Sequence, residues 1–202
     1  MADLESTENS DYTERLMRLE QPLWKRALDV QAPYRRKLRQ LFGDREVLDV
    51  GCGLGRCLAH LAPHGVGVDH NKHSIQVCRD RGLTAFTTDE FGDSEYAKPG
   101  RFGGLLAAHL IEHLPRPQAV DILGGYLEYL APSARVVFIC PQERGYAADP
   151  THVAFTDLDG LADVAGQLGL TVGERLSFPL PRFAGKAFAY NEFIVVSSTP
   201  AA

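Results

Sequence analysis

The 202-residue sequence predicts an α/β protein: a seven-stranded, mostly parallel sheet with one antiparallel strand, helices on both faces and an N-terminal helical cap. Three observations support this fold class. From residue 46 onward, short apolar runs alternate with segments of helical periodicity, and a glycine-rich loop follows the first run. The last two apolar runs have no helix between them, so we expect one of these strands to run antiparallel to the rest.

The N-terminal quarter of the chain has a different pattern. Residues 1–11 are polar and acidic, which predicts a disordered N-terminus. In residues 12–41 apolar side chains recur at helical spacing, and Pro22 and Pro33 divide the segment into two or three helices. We interpret it as a cap on a core that spans residues 46–198, so that residues 12–198 form one domain.

Each core element is predicted from its own run of residues. Strands are expected where short apolar runs end at glycine or polar residues, at Glu46–Val50, Gly65–Val68, Leu83–Thr87, Phe102–Ala108, Arg135–Cys140, Thr171–Phe178 and Phe188–Ser197. Helices are expected in the amphipathic segments between them, at Arg56–Leu61, His73–Arg81, Gln118–Leu130 and Leu158–Leu168.

Composition and charge argue against several classes of function. The formal net charge is -5 and no extended basic block is present, so nucleic acid is not an expected partner. No signal-peptide layout or bilayer-length apolar run occurs, which predicts a cytoplasmic protein without a membrane partner. We expect either a monomer or a homodimer. Buried free thiols are expected at the four cysteines, which form no C-x-x-C pair: Cys52, Cys57, Cys78 and Cys140.

The glycine loop after the first strand indicates a nucleotide cofactor. Gly51, Gly53 and Gly55 allow backbone conformations with positive φ and a close approach to a ligand, and Asp69 ends the next strand, where an acidic residue can hold ribose hydroxyls. Both NAD and S-adenosylmethionine sites use this layout. The dinucleotide pattern needs its third glycine at position 56, which is Arg56, so the loop favours S-adenosylmethionine.

Four segments carry a resemblance to class I S-adenosylmethionine-dependent methyltransferases. Val47–Arg56, with the sequence VLDVGCGLGR, resembles the first motif of that family, and Gly67–Asn71 resembles the motif of its second strand. Thr87–Phe91 resembles the adenine-binding segment, and Phe102–Leu114 the fourth-strand motif, although Gly103 stands where the family often has aspartate. Within the family the chain is most similar to small-molecule O-methyltransferases of ubiquinone biosynthesis. A weaker similarity is to actinobacterial sugar O-methyltransferases such as those of methylmannose polysaccharide assembly.

The resemblance implies a Rossmann-like fold and a set of cofactor contacts. Asp69 is expected to accept hydrogen bonds from the ribose diol, and Asp89 to receive the adenine amine. Asp49 is expected to position the loop and to face the ammonium of the cofactor. The complete set of expected cofactor-binding residues is Asp49, Gly51, Gly53, Gly55, Asp69, His70, Asp89 and Ala108.

A histidine cluster follows the fourth strand and leaves three interpretations open. His109, Glu112 and His113 are spaced to share a helix face, and His152 follows the fifth strand. Together the four residues could hold a divalent metal, and some relatives carry E-x-x-E-H with a later histidine as a magnesium site. Here His109 replaces the first glutamate, although magnesium prefers oxygen ligands. Alternatively His109 or His152 acts as a metal-free general base, or these are ordinary histidines.

The sequence therefore predicts an S-adenosylmethionine-dependent O-methyltransferase acting on a hydroxylated small molecule, with a saccharide as the first candidate and Mg²⁺ or another divalent metal as a candidate cofactor. The segment Pro179–Phe183 is expected to cap the cofactor edge, with hydrogen-bonding groups from Arg182, Lys186, Tyr190 and Asn191. Trp24, Tyr34, Phe178 and Phe183 could stack on an acceptor ring, although core packing is the favoured role for each of them. The alternatives are a metal-free methyltransferase of a phenol or carboxylic acid, and a non-catalytic S-adenosylmethionine-binding module.

Overall fold

The computed structural model describes residues 31–202. Its first helix, α1 (Ala32–Phe42), has Pro33 in its first turn, where a missing backbone N–H is tolerated, and is followed by Gly43 as the C-cap. This helix is the part of the predicted cap that can be checked. The predicted disorder of residues 1–11, the cap helices before Gln31 and the acceptor contact Trp24 lie outside the described residues.

Seven strands form one sheet in the order β3-β2-β1-β4-β5-β7-β6. Strand β7 pairs antiparallel with both of its neighbours, and every other pairing is parallel. The predicted seven-stranded sheet with one reversed strand is thus confirmed. The strands are β1 (Val47–Val50), β2 (Gly65–Asp69), β3 (Ala85–Thr87), β4 (Phe102–Ala108), β5 (Leu130–Pro141), β6 (Thr171–Phe178) and β7 (Glu192–Ser198).

Helices lie on both faces of the sheet, and each face has its own buried apolar cluster. One cluster joins α1 to β1, β4, β5 and β7, and the larger one lies under the helices of the other face. The helices after α1 are α2 (Arg56–Leu61), α3 (Lys72–Asp80), α4 (Thr88–Gly92), α5 (Arg116–Gly124), α6 (Glu143–Tyr146) and α7 (Leu158–Gln167), with 3-10 turns at Ile111–His113, Leu127–Tyr129 and Arg182–Lys186.

Three predicted boundaries differ from the structure by more than two residues. The helix predicted to reach Leu130 ends at Gly124, because two consecutive glycines disfavour its continuation. Strand β5 begins at Leu130 rather than Arg135, with an irregular pairing opposite Phe102 and Gly104. Strand β7 begins at Glu192 rather than Phe188, since residues 188–191 form a turn in which the Asn191 N–H donates to the Phe188 carbonyl. Within residues 31–202, no helix is both long and apolar enough to cross a membrane.

Candidate active site

The glycine loop lies at the carboxyl edge of the sheet, between β1 and α2. All three loop glycines have positive φ, which side chains rarely tolerate. A Cβ on Gly51 would lie 2.9 Å from Leu110 Cδ1, and one on Gly55 would lie 2.7 Å from Leu83 Cδ1, whereas one on Gly53 would meet no atom within 4 Å. Gly51 and Gly55 therefore allow close packing behind the loop, and Gly53 borders open space.

Asp69, at the end of β2, fixes the shape of this loop. Its Oδ2 accepts a hydrogen bond from the Gly53 N–H at 2.9 Å, and its Oδ1 accepts one from the Asn71 N–H at 2.8 Å. The Asn71 side chain in turn caps α3 by accepting from the N–H groups of His73 and Ser74. One buried carboxylate thus ties the glycine loop to the next helix.

Asp49 is a buried acid directly beneath the loop. It is 1% exposed, and its Oδ2 has no hydrogen-bond partner among the described residues. Burial, with a smaller contribution from Asp69, raises the pKa of Asp49 to about 7. A cation bound above the loop would favour the ionised form and stabilise this side chain.

The other predicted cofactor contacts lie along the same edge. His70 Nδ1 is 3.5 Å from Asp69 Oδ1, and Ala108 is the last residue of β4. Asp89 is exposed in the first turn of α4, a short helix that begins with a reciprocal cap between Thr87 and Glu90. The structure therefore brings these positions to one edge of the sheet, while their contacts with a cofactor stay predictions.

His109 lies between two carboxylates. Its Nδ1 is 3.1 Å from Glu112 Oε1, and its Nε2 is 2.8 Å from Glu192 Oε1. Burial opposes the charged form, but Glu192 and Glu112 outweigh it and raise the pKa of His109 to about 9. His109 is therefore protonated near neutral pH and has no lone pair to offer.

This arrangement corrects the roles predicted for His109. The prediction assumed that His109, Glu112 and His113 share one helix face. Instead His109 has a φ of 58°, outside the 3-10 turn that begins at Ile111, so its ring is directed to β7 rather than along the turn. An imidazolium with both nitrogens facing carboxylates fits neither a general base nor a metal ligand.

Glu112, His113 and His152 form a compact cluster that can hold a metal. One ligand atom from each of these residues lies within 4.8 Å of the others. Three of the four predicted ligands thus come together, and His109 is the exception. Glu112 is fully buried, and its Oε2 accepts from the Cys140 thiol at 3.3 Å. Burial opposes ionisation of Glu112, but His109 outweighs it and holds the pKa of Glu112 below its usual value.

Backbone carbonyls fix the tautomers of both histidines in the cluster. His152 Nδ1 donates to the Tyr146 carbonyl at 2.8 Å, and His113 Nδ1 donates to the Thr151 carbonyl at 3.2 Å. In the neutral ring of either histidine, Nε2 then carries the lone pair that can bind a metal or accept a proton. Burial lowers the pKa of His113, which keeps its ring neutral.

Two exposed apolar segments flank this cluster. Tyr146 stacks on His152 at 5.2 Å between ring centroids and meets Phe155 edge-on at the same distance. The large apolar side chains that are exposed in the described residues all belong to residues 153–155 and 180–190: Val153, Phe155, Leu180, Phe183, Phe188 and Tyr190. Because these side chains lie beside ionisable groups at the sheet edge, they form a candidate acceptor surface.

Three of the residues named for this region make contacts within the protein. Asn191 is fully buried, and its Nδ2 donates to Gln142 Oε1 at 3.1 Å, which holds the start of β7. Arg182 forms an ion pair with Glu143. Tyr34 packs edge-on against Phe178 with ring centroids 6.3 Å apart.

The sequence prediction missed Glu192. Glutamate at the start of a strand is common on a solvent face, so nothing local in the sequence marked it. Its position as the first residue of the reversed strand was the available indication, since that end of β7 lies at the carboxyl edge of β5.

Comparisons with known proteins place this geometry in context. Residues 19–174 match a family model described as a methyltransferase domain. Over 103 residues the chain is 29% identical to the ubiquinone biosynthesis O-methyltransferase of Pseudoalteromonas translucida, and this region covers 47% of the chain and 43% of that protein.

Solved structures share the fold at low sequence identity. A SAM-dependent methyltransferase from Archaeoglobus fulgidus superimposes with a TM-score of 0.62 at 20% identity, covering 84% of this chain and 93% of the other. Magnesium protoporphyrin IX methyltransferase from Synechocystis PCC 6803, with bound SAH, superimposes with a TM-score of 0.67 at 13% identity, covering 97% of this chain and 98% of the other.

Proposed function

Because this chain belongs to the methyltransferase domain family, we propose that it transfers a methyl group from S-adenosylmethionine to a hydroxyl group of a small molecule. The observation that carries the choice of a hydroxyl acceptor is the pair of Nε2 atoms of His113 and His152, whose Nδ1 atoms face backbone carbonyls, at the same sheet edge as the glycine loop. Neutral imidazoles at this place suit the removal of a hydroxyl proton.

The proposed reaction needs little beyond positioning, because the sulfonium donor is already activated. The acceptor oxygen attacks the methyl carbon in line with the departing sulfur, the C–S bond breaks and a C–O bond forms. The products are the methylated acceptor, S-adenosylhomocysteine (SAH) and a proton. The glycine loop and Asp69 hold the donor, while the histidine cluster orients the acceptor and takes up the proton.

The cluster also fits a divalent metal. Glu112, His113 and His152 would hold the ion, and two imidazoles with one carboxylate suit a transition metal better than magnesium. When bound, the ion would act as a Lewis acid that lowers the pKa of the acceptor hydroxyl. Without it, the Nε2 of His152 or His113 is the proposed base.

The proposed acceptor carries both hydroxyl groups and an apolar face. Aromatic side chains such as Phe155 and Tyr190 can stack on a planar ring or on the face of a sugar. The saccharide predicted from the sequence therefore stays a candidate beside phenols.

A methyl-transfer assay tests this function. S-adenosylmethionine with a labelled methyl group is incubated with sugars, phenols and carboxylic acids, before and after EDTA treatment and with Mg²⁺ or Mn²⁺ added back. We expect label in a hydroxylated acceptor, and at least about tenfold loss of turnover in His152→Ala. His64→Ala, which changes an exposed histidine in a turn, is the matched control.

Each alternative outcome of the assay has a definite meaning. Full activity after EDTA would exclude the metal and leave the histidine base. SAH binding without label in any acceptor would indicate a non-catalytic binding module.

Alanine at Gly53 is expected to weaken cofactor binding without disrupting the fold. Its Cβ would enter the open space that borders the loop, so SAH affinity should fall by about tenfold or more. Gly82→Ala is a matched control, since Gly82 also has positive φ and no atom within 4 Å of an added Cβ. Both variants should lose about 1–2 kcal/mol of stability from backbone strain, and only Gly53→Ala should bind SAH poorly in calorimetry. Equal SAH affinities would contradict the placement of the cofactor.

Cofactor affinity is also expected to depend on pH through Asp49. Its raised pKa of about 7 means that the carboxyl is largely protonated at pH 6 and ionised at pH 8. Because the cationic cofactor favours the ionised form, S-adenosylmethionine affinity should rise by about tenfold between these pH values. Titrations of the wild type and of Asp49→Asn check this, since the variant should lose the rise. A wild-type affinity that is flat or falls with pH would be inconsistent with this role.

A further inference from the structure

Glu192 carries a buried oxygen that the site described so far does not use. Its Oε1 is 2.8 Å from His109 Nε2, but its Oε2 is buried and has no hydrogen-bond partner among residues 31–202. The residue as a whole is 8% exposed. A buried carboxylate oxygen without a donor is costly, by about 1–3 kcal/mol or more, so its retention points to a ligand.

The start of β7 is three strands from β1, but the Glu192 side chain reaches back over β5 to His109 and lies close enough to Arg56, the first residue of α2, to interact with it. The glycine loop and Asp69 follow β1 and β2, whereas Glu192 begins β7, with β4 and β5 in between. At about 4.8 Å per strand, β7 is separated from β1 by roughly 14 Å. Glu192 is paired with Pro141 at the carboxyl end of β5, so it still lies at the ligand edge.

Apolar rings surround this end of β7. Phe188 and Tyr190, which precede Glu192, are exposed and pack against each other with centroids 5.6 Å apart. Phe155, also exposed, meets Phe193 at 6.2 Å. Phe193 belongs to the apolar cluster on one face of the sheet, whereas Ile194, and with it Glu192 by strand alternation, faces the other side. Phe188 and Tyr190 are therefore the exposed rings on the segment that leads directly into Glu192.

The carboxylate is also held rigidly. Gln142 is fully buried, and its Nε2 donates to the Glu192 carbonyl at 2.9 Å. His109 Nε2 lies 2.8 Å from the other side-chain oxygen and fixes its position. A preorganised charged acceptor of hydrogen bonds is suited to select a ligand that brings a donor.

We propose that Glu192 is an acceptor-binding residue whose Oε2 accepts a hydrogen bond from a hydroxyl or N–H group of the methyl acceptor. The acceptor class is a ring compound with one donor group for Glu192 and an apolar face for Phe188 and Tyr190. This inference rests on the proposed function and adds the group that determines acceptor specificity.

The test is Glu192→Gln, which keeps the size of the side chain and removes its charge. We measure SAH affinity by calorimetry, KM and kcat for the acceptor with the highest wild-type turnover, and thermal stability. A charge-assisted hydrogen bond predicts a rise of about tenfold to a hundredfold in acceptor KM, with SAH affinity within about threefold of wild type. Glu192→Asp, which keeps the charge, should give an intermediate KM. Glu174→Gln, an exposed glutamate on β6, is the matched control and should behave as wild type.

Two results would overturn the inference. If SAH binding weakens tenfold while acceptor KM is unchanged, the oxygen serves the cofactor. If neither changes, or both change in proportion to a fall in melting temperature, Glu192 is only structural. Failure of the proposed function is distinct, because it would appear in the wild type as absent methyl transfer.

Discussion

Replacing Asp69 with asparagine is expected to weaken SAH binding by about a hundredfold or more. The carboxylate accepts hydrogen bonds from the N–H groups of Gly53 and Asn71, and it is the proposed ligand of the ribose diol. An asparagine side chain has one acceptor oxygen and no charge, so at least one loop contact and the charge-assisted ribose contact are lost. Two such bonds contribute about 3 kcal/mol, which corresponds to about a hundredfold in affinity.

Calorimetry with SAH on wild type, Asp69→Asn and Asp93→Asn makes this measurement. Asp93 is exposed after α4, and its replacement should leave SAH affinity unchanged. A dissociation constant for Asp69→Asn within about threefold of wild type would show that the cofactor does not use this edge of the sheet.

Glu112→Gln is expected to destabilise the fold as well as the histidine cluster. Glu112 is fully buried and has donors at both oxygens, His109 at Oε1 and the Cys140 thiol at Oε2. Burial raises the pKa of Cys140, so the thiol keeps its proton. The amide N–H of a glutamine would face either His109 or the Cys140 thiol, which are themselves donors. The lost hydrogen bond should lower the free energy of unfolding by about 2–3 kcal/mol. For a chain of this size that lowers the melting temperature by about 5–10 °C.

Thermal unfolding of Glu112→Gln beside Glu95→Gln checks this expectation. Glu95 is exposed, so its replacement should shift the melting temperature by less than about 1 °C. An unchanged melting temperature in Glu112→Gln would mean that the contacts of Glu112 with His109 and Cys140 do not contribute to stability.

The sequence predicted the conformation of the glycine loop well because the determining interactions are short-range. Three glycines need positive φ, and Asp69 reaches Gly53 across only 16 positions of chain. Strand β1, which leads into the glycines, and strand β2, which ends at Asp69, each correspond to a separate apolar run in the sequence. The family and fold predicted from these motifs are confirmed by the family match and by the observed sheet.

The histidine cluster was predicted in part, because its geometry depends on contacts distant in sequence. His113 and His152 meet because the loop after β5 folds back, with the N–H groups of Val153 and Ala154 donating to the Glu112 carbonyl. His109 pairs with Glu192, 83 positions away, at a backbone conformation that helical spacing does not predict. No local pattern identifies such a partner, which explains why His109 was assigned the wrong role.

The most direct test of the central claim is methyl transfer by the wild type compared with Asp69→Asn. With labelled S-adenosylmethionine and the hydroxylated acceptor panel, wild type should form equal amounts of SAH and methylated product. At a cofactor concentration about tenfold above the wild-type dissociation constant, Asp69→Asn should form both about tenfold more slowly. Absence of methylated product from the wild type, or turnover by Asp69→Asn equal to wild type, would contradict the assignment of this sheet edge as a methyltransferase site.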